Sequence, residues 1–213
     1  IDSTLSNERN MISFDLTYKN KFEIGETRFF SDTVDVNKNI QLPEYLVFVG
    51  QINLEEMSKY DANNLLPKEG MLYFYISPLF YNDKYYNFGK VIYISSTENL
   101  IRKKITIPKT VTINNFGISN IKNCNEKFSD RYEFENGEKI YSSFEGEELN
   151  KIFGFYTDCQ MDEEDIKRVS NKYIVLLQLG TKIYGEGVTT FLITEEDLKN
   201  KNFDNVIYQY VQT

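Results

Sequence analysis

The sequence predicts a β-rich α+β fold with a few short helices and an internal pseudo-duplication. Composition is the first reason: 16 Tyr and 16 Phe with no Trp, among many β-branched residues, favour pleated strands. Segment length is the second. YLVFVGQI (45–52), MLYFYIS (71–77), YIVLLQL (173–179) and VTTFLI (188–193) are apolar runs of strand length, bounded by turn residues. The third is recurrence, because the parts of 173–211 appear in fainter form at 46–94.

Along the chain, MISFDLTY (11–18) alternates Ile12, Phe14, Leu16 and Tyr18 with mostly polar neighbours, which predicts a half-buried strand. FEIGETRFF (22–30) is a candidate strand interrupted by Gly25. The near-continuous run 45–52 reads as a central strand covered on both faces. Asn53 can cap a short helix over 54–60, and Pro67 and Gly70 punctuate the loop after it. Strands follow at 71–77 and 89–95 around a Tyr-rich, charge-poor loop at 78–88. ITIP (105–108) and VTIN (111–114) read as short strands, 117–130 as irregular, and RYEF and EKIYSSF as a hairpin about the ENG turn. SFEGEELNKIFGF (143–155) reads as a helix broken at Gly154, and MDEEDIKRV (161–169) as a helix with acids leading. Thr194 with Asp197 caps a helix over 194–200, and NVIYQYV (205–211) closes the fold.

Laid together, LVFVGQIN (46–53) matches YIVLLQLG (173–180), which sets Gln51 opposite Gln178. GMLYFYI (70–76) matches GVTTFLI (187–193), and KVIYI (90–94) matches NVIYQ (205–209). Neither half buries its apolar faces alone, so two packed halves in one domain, 1–213, are expected. No linker divides the chain.

Composition also excludes chemistry. Histidine is absent, which removes Ser–His and Cys–His catalysis and the usual transition-metal ligand. Cys124 and Cys159 form no CxxC pair, so free thiols are expected in a cytoplasmic protein and a disulfide if the chain is exported. The net charge of −8 opposes nucleic acid and anionic lipid, and Arg102, Lys103 and Lys104 are the only basic run, read as a solvated edge. No apolar run has the length of a membrane helix. The chain opens at Ile1 and not Met, so a segment upstream is expected.

Several of these segments, LVFVGQINLEEM, LLPKEGMLYFYI, KIFGFYTDCQ and YGEGVTTFLITEEDLKNKNFDNVIYQYVQ, resemble the YwqG-like family of bacterial proteins of unknown function. The resemblance spans roughly 45–94 and 150–213. It implies a single domain of mainly antiparallel, roll-like sheet with a few helices, and no assigned reaction or cofactor. The family's Gly-Gly-x-Pro segment has no counterpart in 25–43, and its Trp-Gly-Asp turn is replaced by Tyr184, Gly185, Glu186 and Gly187.

That turn is the first candidate ligand site, since an acid between glycines lets backbone N–H groups face a ligand; an ordinary hairpin is the alternative. Gln51 and Gln178 form the second, because an amide inside an apolar strand needs buried partners. The acids at 162–165 lack the spacing of a calcium loop, and no pattern calls for a metal or other cofactor. The leading functional reading is a non-catalytic interaction module that docks a protein, a toxin or a regulator, through Tyr81, Tyr85 and Tyr86. A small-ligand binder using Gln51 and Gln178, and a carboxylate- or metal-dependent enzyme with Glu186 in its site, are the alternatives.

Overall fold

The computed structural model describes residues 8–77, 88–106, 113–128, 132–135, 138–141, 150–158, 161–180 and 187–211. In chain order the strands and helices are β1 (Glu8–Tyr18), β2 (Arg28–Phe29), β3 (Thr33–Val36), β4 (Val47–Asn53), α1 (Leu54–Met57), β5 (Met71–Ile76) and β6 (Gly89–Ile94). There follow β7 (Ile101–Lys104), β8 (Phe116–Lys127), β9 (Tyr132–Glu135), β10 (Glu138–Tyr141), β11 (Lys151–Phe153), α2 (Glu163–Lys172), β12 (Ile174–Gly180), β13 (Val188–Ile193), α3 (Glu195–Lys199) and β14 (Ile207–Val211). A strand-rich, antiparallel fold with short helices is what the composition and apolar runs predicted.

Ten of the described strands form one sheet in the order β14-β13-β12-β11-β1-β8-β2-β4-β5-β6. Its centre is the long pair β1–β8, and β4 and β12 each lie third from an edge. The expectation of a central place for 46–52 and 173–179 is therefore corrected. Both are still covered on both faces, as their continuous apolar character requires. The segment 117–130, read as irregular, holds most of β8. Its Asn- and Lys-rich sequence has low strand propensity, and pairing with β1 overrides it. KIF, read as helix, is instead β11, and IRKK, read as an edge before a strand, is β7 itself. Of 22–30 only Arg28–Phe29 is strand. Tyr18, placed on the buried side by alternation, is exposed at the end of β1.

The sheet curls. Val47, Leu72 and Phe74 from one side share a single core with Leu176, Phe191 and Tyr208 from the other. The Phe74 and Phe191 rings meet edge-on at 5.0 Å. The two edges β6 and β14 come together without hydrogen bonds, so the barrel does not close. On the outer face the β3–β7 ribbon packs Val34 and Val36 against Phe48, Tyr73 and Tyr75. α2 brings Val169 against Val175 and Leu192 on the outer face of the other half. Leu46 and Phe48 belong to the ribbon side, because alternation places them opposite Val47 and Val49.

The helices sit where their caps require. Asn53 accepts the Glu55 N–H at 3.0 Å, Asp162 accepts the Asp165 N–H at 2.8 Å, and Thr194 accepts the Asp197 N–H at 3.1 Å. The helix expected over 54–60 is one α turn followed by a 3-10 turn at Ser58–Tyr60. Among the described residues no helix is long and apolar enough to cross a membrane.

Candidate functional site

Gln51 lies in a buried polar network on the ribbon side of β4. Its register partner on β2 is Arg28, a fully buried arginine. Arg28 is neutralised by Asp35 of β3, with Nη1 donating to Oδ2 at 2.9 Å. The same carboxylate accepts from Arg102 Nε at 2.9 Å and Nη2 at 3.1 Å, from the Gly25 N–H at 2.9 Å and from Gln51 Nε2 at 3.2 Å. Burial alone would raise the Asp35 pKa, but the bonds from Arg102 and Arg28 outweigh it and hold it at about 2. Gln51 Oε1 accepts the Asp35 N–H at 2.8 Å, and Nε2 also donates to Glu26 O at 2.9 Å, so both ends of the amide are engaged within the protein. Tyr73 donates to Asp35 O at 2.7 Å, and burial pushes its phenol up. Arg102 is thus tied into this network and is not a loose member of a basic run.

Gln178 has a matching environment in the other half. It is fully buried, and its register partner on β11 is Lys151, a fully buried lysine. Lys151 Nζ donates to both Glu126 carboxylate oxygens at 2.8 Å and to Phe155 O at 2.7 Å. The Phe155 N–H completes the Glu126 shell at 2.7 Å. Each of the two glutamines therefore sits beside a buried cation, and each cation is met by a buried acid from a different strand. In both networks a buried cation meets a buried acid, as buried ions require, although Arg28 Nη2 is left without a hydrogen-bond partner.

The open site is elsewhere, on the outer face of the central pair. Ser13 pairs with Lys122 and Asp15 with Ser119, so Phe14 alone stands opposite both Asn120 and Ile121. This bulge re-aims the strand, and Asn120 takes a φ of +49° within it. Ile12, Phe14 and Leu16 turn to the core, leaving Met11, Ser13 and Asp15 half-buried on the outer face. With Lys122, Cys124 and Asn150 they line a cleft of about 640 Å³. Asn150 is 1% exposed; its Oδ1 accepts the Gly180 N–H at 3.1 Å, while its Nδ2 has no hydrogen-bond partner. The Cys124 thiol, a free one, donates to Ser13 Oγ at 3.7 Å.

Of the residues singled out from sequence, Gln51, Gln178 and Gly187 are described, and they lie in three separate places. Gly187 begins β13's turn with φ +92°, where a Cβ would stand 2.6 Å from Val211 O. Tyr184, Gly185 and Glu186, the interaction candidates Tyr81, Tyr85 and Tyr86, and Cys159 lie outside the described residues. The four acids at 162–165 form the cap and first turn of α2. Among the described residues no group of three or more His, Cys, Asp or Glu side chains is placed to hold a metal. The cleft was missed because Lys122 and Cys124, which face the predicted strand β1, lie on β8, and β8 carries no periodic apolar signal. A lysine inside KIF was the one visible hint of a buried ion pair.

The fold and this site define a curled antiparallel-sheet protein with a polar cleft over its central strand pair and buried ion pairs on either side of it. The model of a domain of unknown function, DUF1963, matches residues 19–211, and the chain belongs to that family. A comparison with the curated proteins returns no match.

Proposed function

We propose that this protein is a non-catalytic binding protein whose ligand, a small molecule, occupies the cleft over the β1–β8 bulge. The observation that carries this reading is the unsatisfied amide of Asn150 at the cleft wall. Leaving a buried donor unpaired costs about 1–3 kcal/mol, and such groups are retained where a ligand or water completes them. The Gln51 amide, by contrast, has both ends occupied. The cleft volume is in the range of small-molecule sites.

The position of the cleft supports the same reading through the internal duplication, which we infer from four correspondences. β4 with β12, β5 with β13 and β6 with β14 hold mirrored places in the sheet order. The register slips at Val49 in one half and Leu176 in the other, which are equivalent in the sequence match. Gln51 and Gln178 each face a buried cation. Gly70 and Gly187 both have positive φ, and a Cβ on either would strike the carbonyl ending the edge strand. In that scheme β1 and β8 are the equivalent first strands, each inserted beside the other half's strands. The cleft then lies where the halves meet, a preferred place for ligands. The motifs at 45–94 and 150–213 support placing the chain in the YwqG-like group of its family.

The test is a thermal-shift screen of metabolites against the wild type and a cleft-filling Ser13→Phe variant. Saturating ligand at about 100 times its Kd is expected to stabilise the wild type by about 2.7 kcal/mol and the variant far less. Equal shifts in both proteins, or no stabilising compound, would refute the reading.

A further inference from the structure

We infer that the ligand of this cleft is a zwitterion of the α-amino-acid kind, carrying one ammonium, one carboxylate and a short apolar side chain. The inference rests on the binding reading above and adds the chemical class. Asp15 and Lys122 line the same cleft with opposite charges, yet among the described residues neither forms an ion pair with the other or with any third group. Asp15 Oδ2 accepts Asn120 Nδ2 at 2.7 Å, and Oδ1 is left for a donor. Asn150 Nδ2 is a buried donor without a partner, and the exposed Lys122 ammonium and the half-buried Ser13 hydroxyl add further donors to the cleft lining. Met11 and the bulge residue Ile121 supply the apolar wall.

The charge balance selects among ligands. A simple anion would answer Lys122 and the neutral donors, but it would face Asp15 and a chain of net charge −8. A simple cation would answer Asp15 and leave Lys122 and Asn150 unmatched. A molecule with both charges, held a few bonds apart, satisfies both ends of the cleft. Two opposite charges that share one cleft without pairing are the arrangement such a molecule requires.

Isothermal titration of the full chain with L-methionine, 4-methylpentanoate and 3-methylbutylamine tests this. L-Methionine should bind, and the analogue lacking either charge should bind about tenfold more weakly or worse, a loss of one paired charge. Asp15→Asn should weaken L-methionine while sparing 4-methylpentanoate, and Lys122→Gln should weaken L-methionine while sparing 3-methylbutylamine. Both positions reach the surface, and unchanged thermal unfolding would verify that the variants fold. Affinity for L-methionine unaltered by both substitutions, or equal affinity for all three compounds, would overturn the inference. Failure of all three where the metabolite screen yields Ser13→Phe-sensitive binders overturns the zwitterion class alone. Failure in both experiments overturns the binding reading with it.

Discussion

Replacing Asp35 by asparagine removes the charge at the centre of the ribbon-side network while keeping its volume. The carboxylate accepts five hydrogen bonds, three of them from Arg28 and Arg102. Arg102 has 32% of its side chain exposed and can turn to water, but Arg28 is at 0% and cannot. Asp35→Asn therefore leaves a buried guanidinium without a counter-ion, which costs about 3–5 kcal/mol. That is a large part of the roughly 5–15 kcal/mol by which a domain is stable. The wild type's pH dependence supplies a second estimate. The folded pKa, about 2, lies below the ordinary value of 3.8, so the carboxylate's contribution is present above 3.8 and lost as the pH falls through 2. The difference amounts to about 2 kcal/mol, which bounds from below the cost of losing the charge altogether. Urea unfolding followed by far-UV circular dichroism at neutral pH measures the first quantity, and repeating it at pH 3 should show about half of the second, about 1 kcal/mol, already lost. The double variant Arg28→Met, Asp35→Asn should recover most of the loss, because no lone charge is then buried. A single variant within about 0.5 kcal/mol of wild type, or a double variant no better than the single, would refute the argument.

Phe191→Ala is expected to cost about 3–5 kcal/mol by urea unfolding. Its ring is fully buried between Phe74 at 5.0 Å and Tyr208 at 5.3 Å, where the two ends of the sheet meet. Gly70→Ala should lose about 1–3 kcal/mol, since φ is +100° and the new Cβ would lie 2.0 Å from Ile94 O; calorimetric melting would register it. Thr194→Ala should lose about 1 kcal/mol with the α3 cap, and Thr194→Ser should restore most of it. A fragment of residues 116–213 should give a poorly dispersed NMR spectrum, because both sheet neighbours of β8 lie in the other piece; good dispersion would contradict the dependence of β8 on β1 and β2.

The sequence by itself determined the strands that are buried on both faces. In β4, β5, β12 and β13 the apolar run is long and the capping residues Asn53 and Thr194 mark where each helix begins, all local signals. Under the duplication proposed above Gln51 and Gln178 correspond, and each has a buried cation as its register partner. Under the same proposal the edge strands align differently: Ile94 opposes Met71 and Val211 opposes Val188, so VIYI (91–94) would correspond to YQYV (208–211), two residues from the sequence match. A slip of two residues keeps every side chain on its face, so periodicity cannot detect it. Tertiary structure alone decided the centre of the sheet. β8 carries Asn120, Lys122, Asn123, Asn125 and Lys127, and becomes a strand only because β1 offers it a full ladder. The cleft follows from that pairing, since Ser13 and Asp15 are distant in sequence from Lys122 and from Asn150 and meet them only in the folded sheet. Local chemistry names the elements whose burial is written in consecutive residues; a site built from a register irregularity between remote strands exists only once the ladder forms.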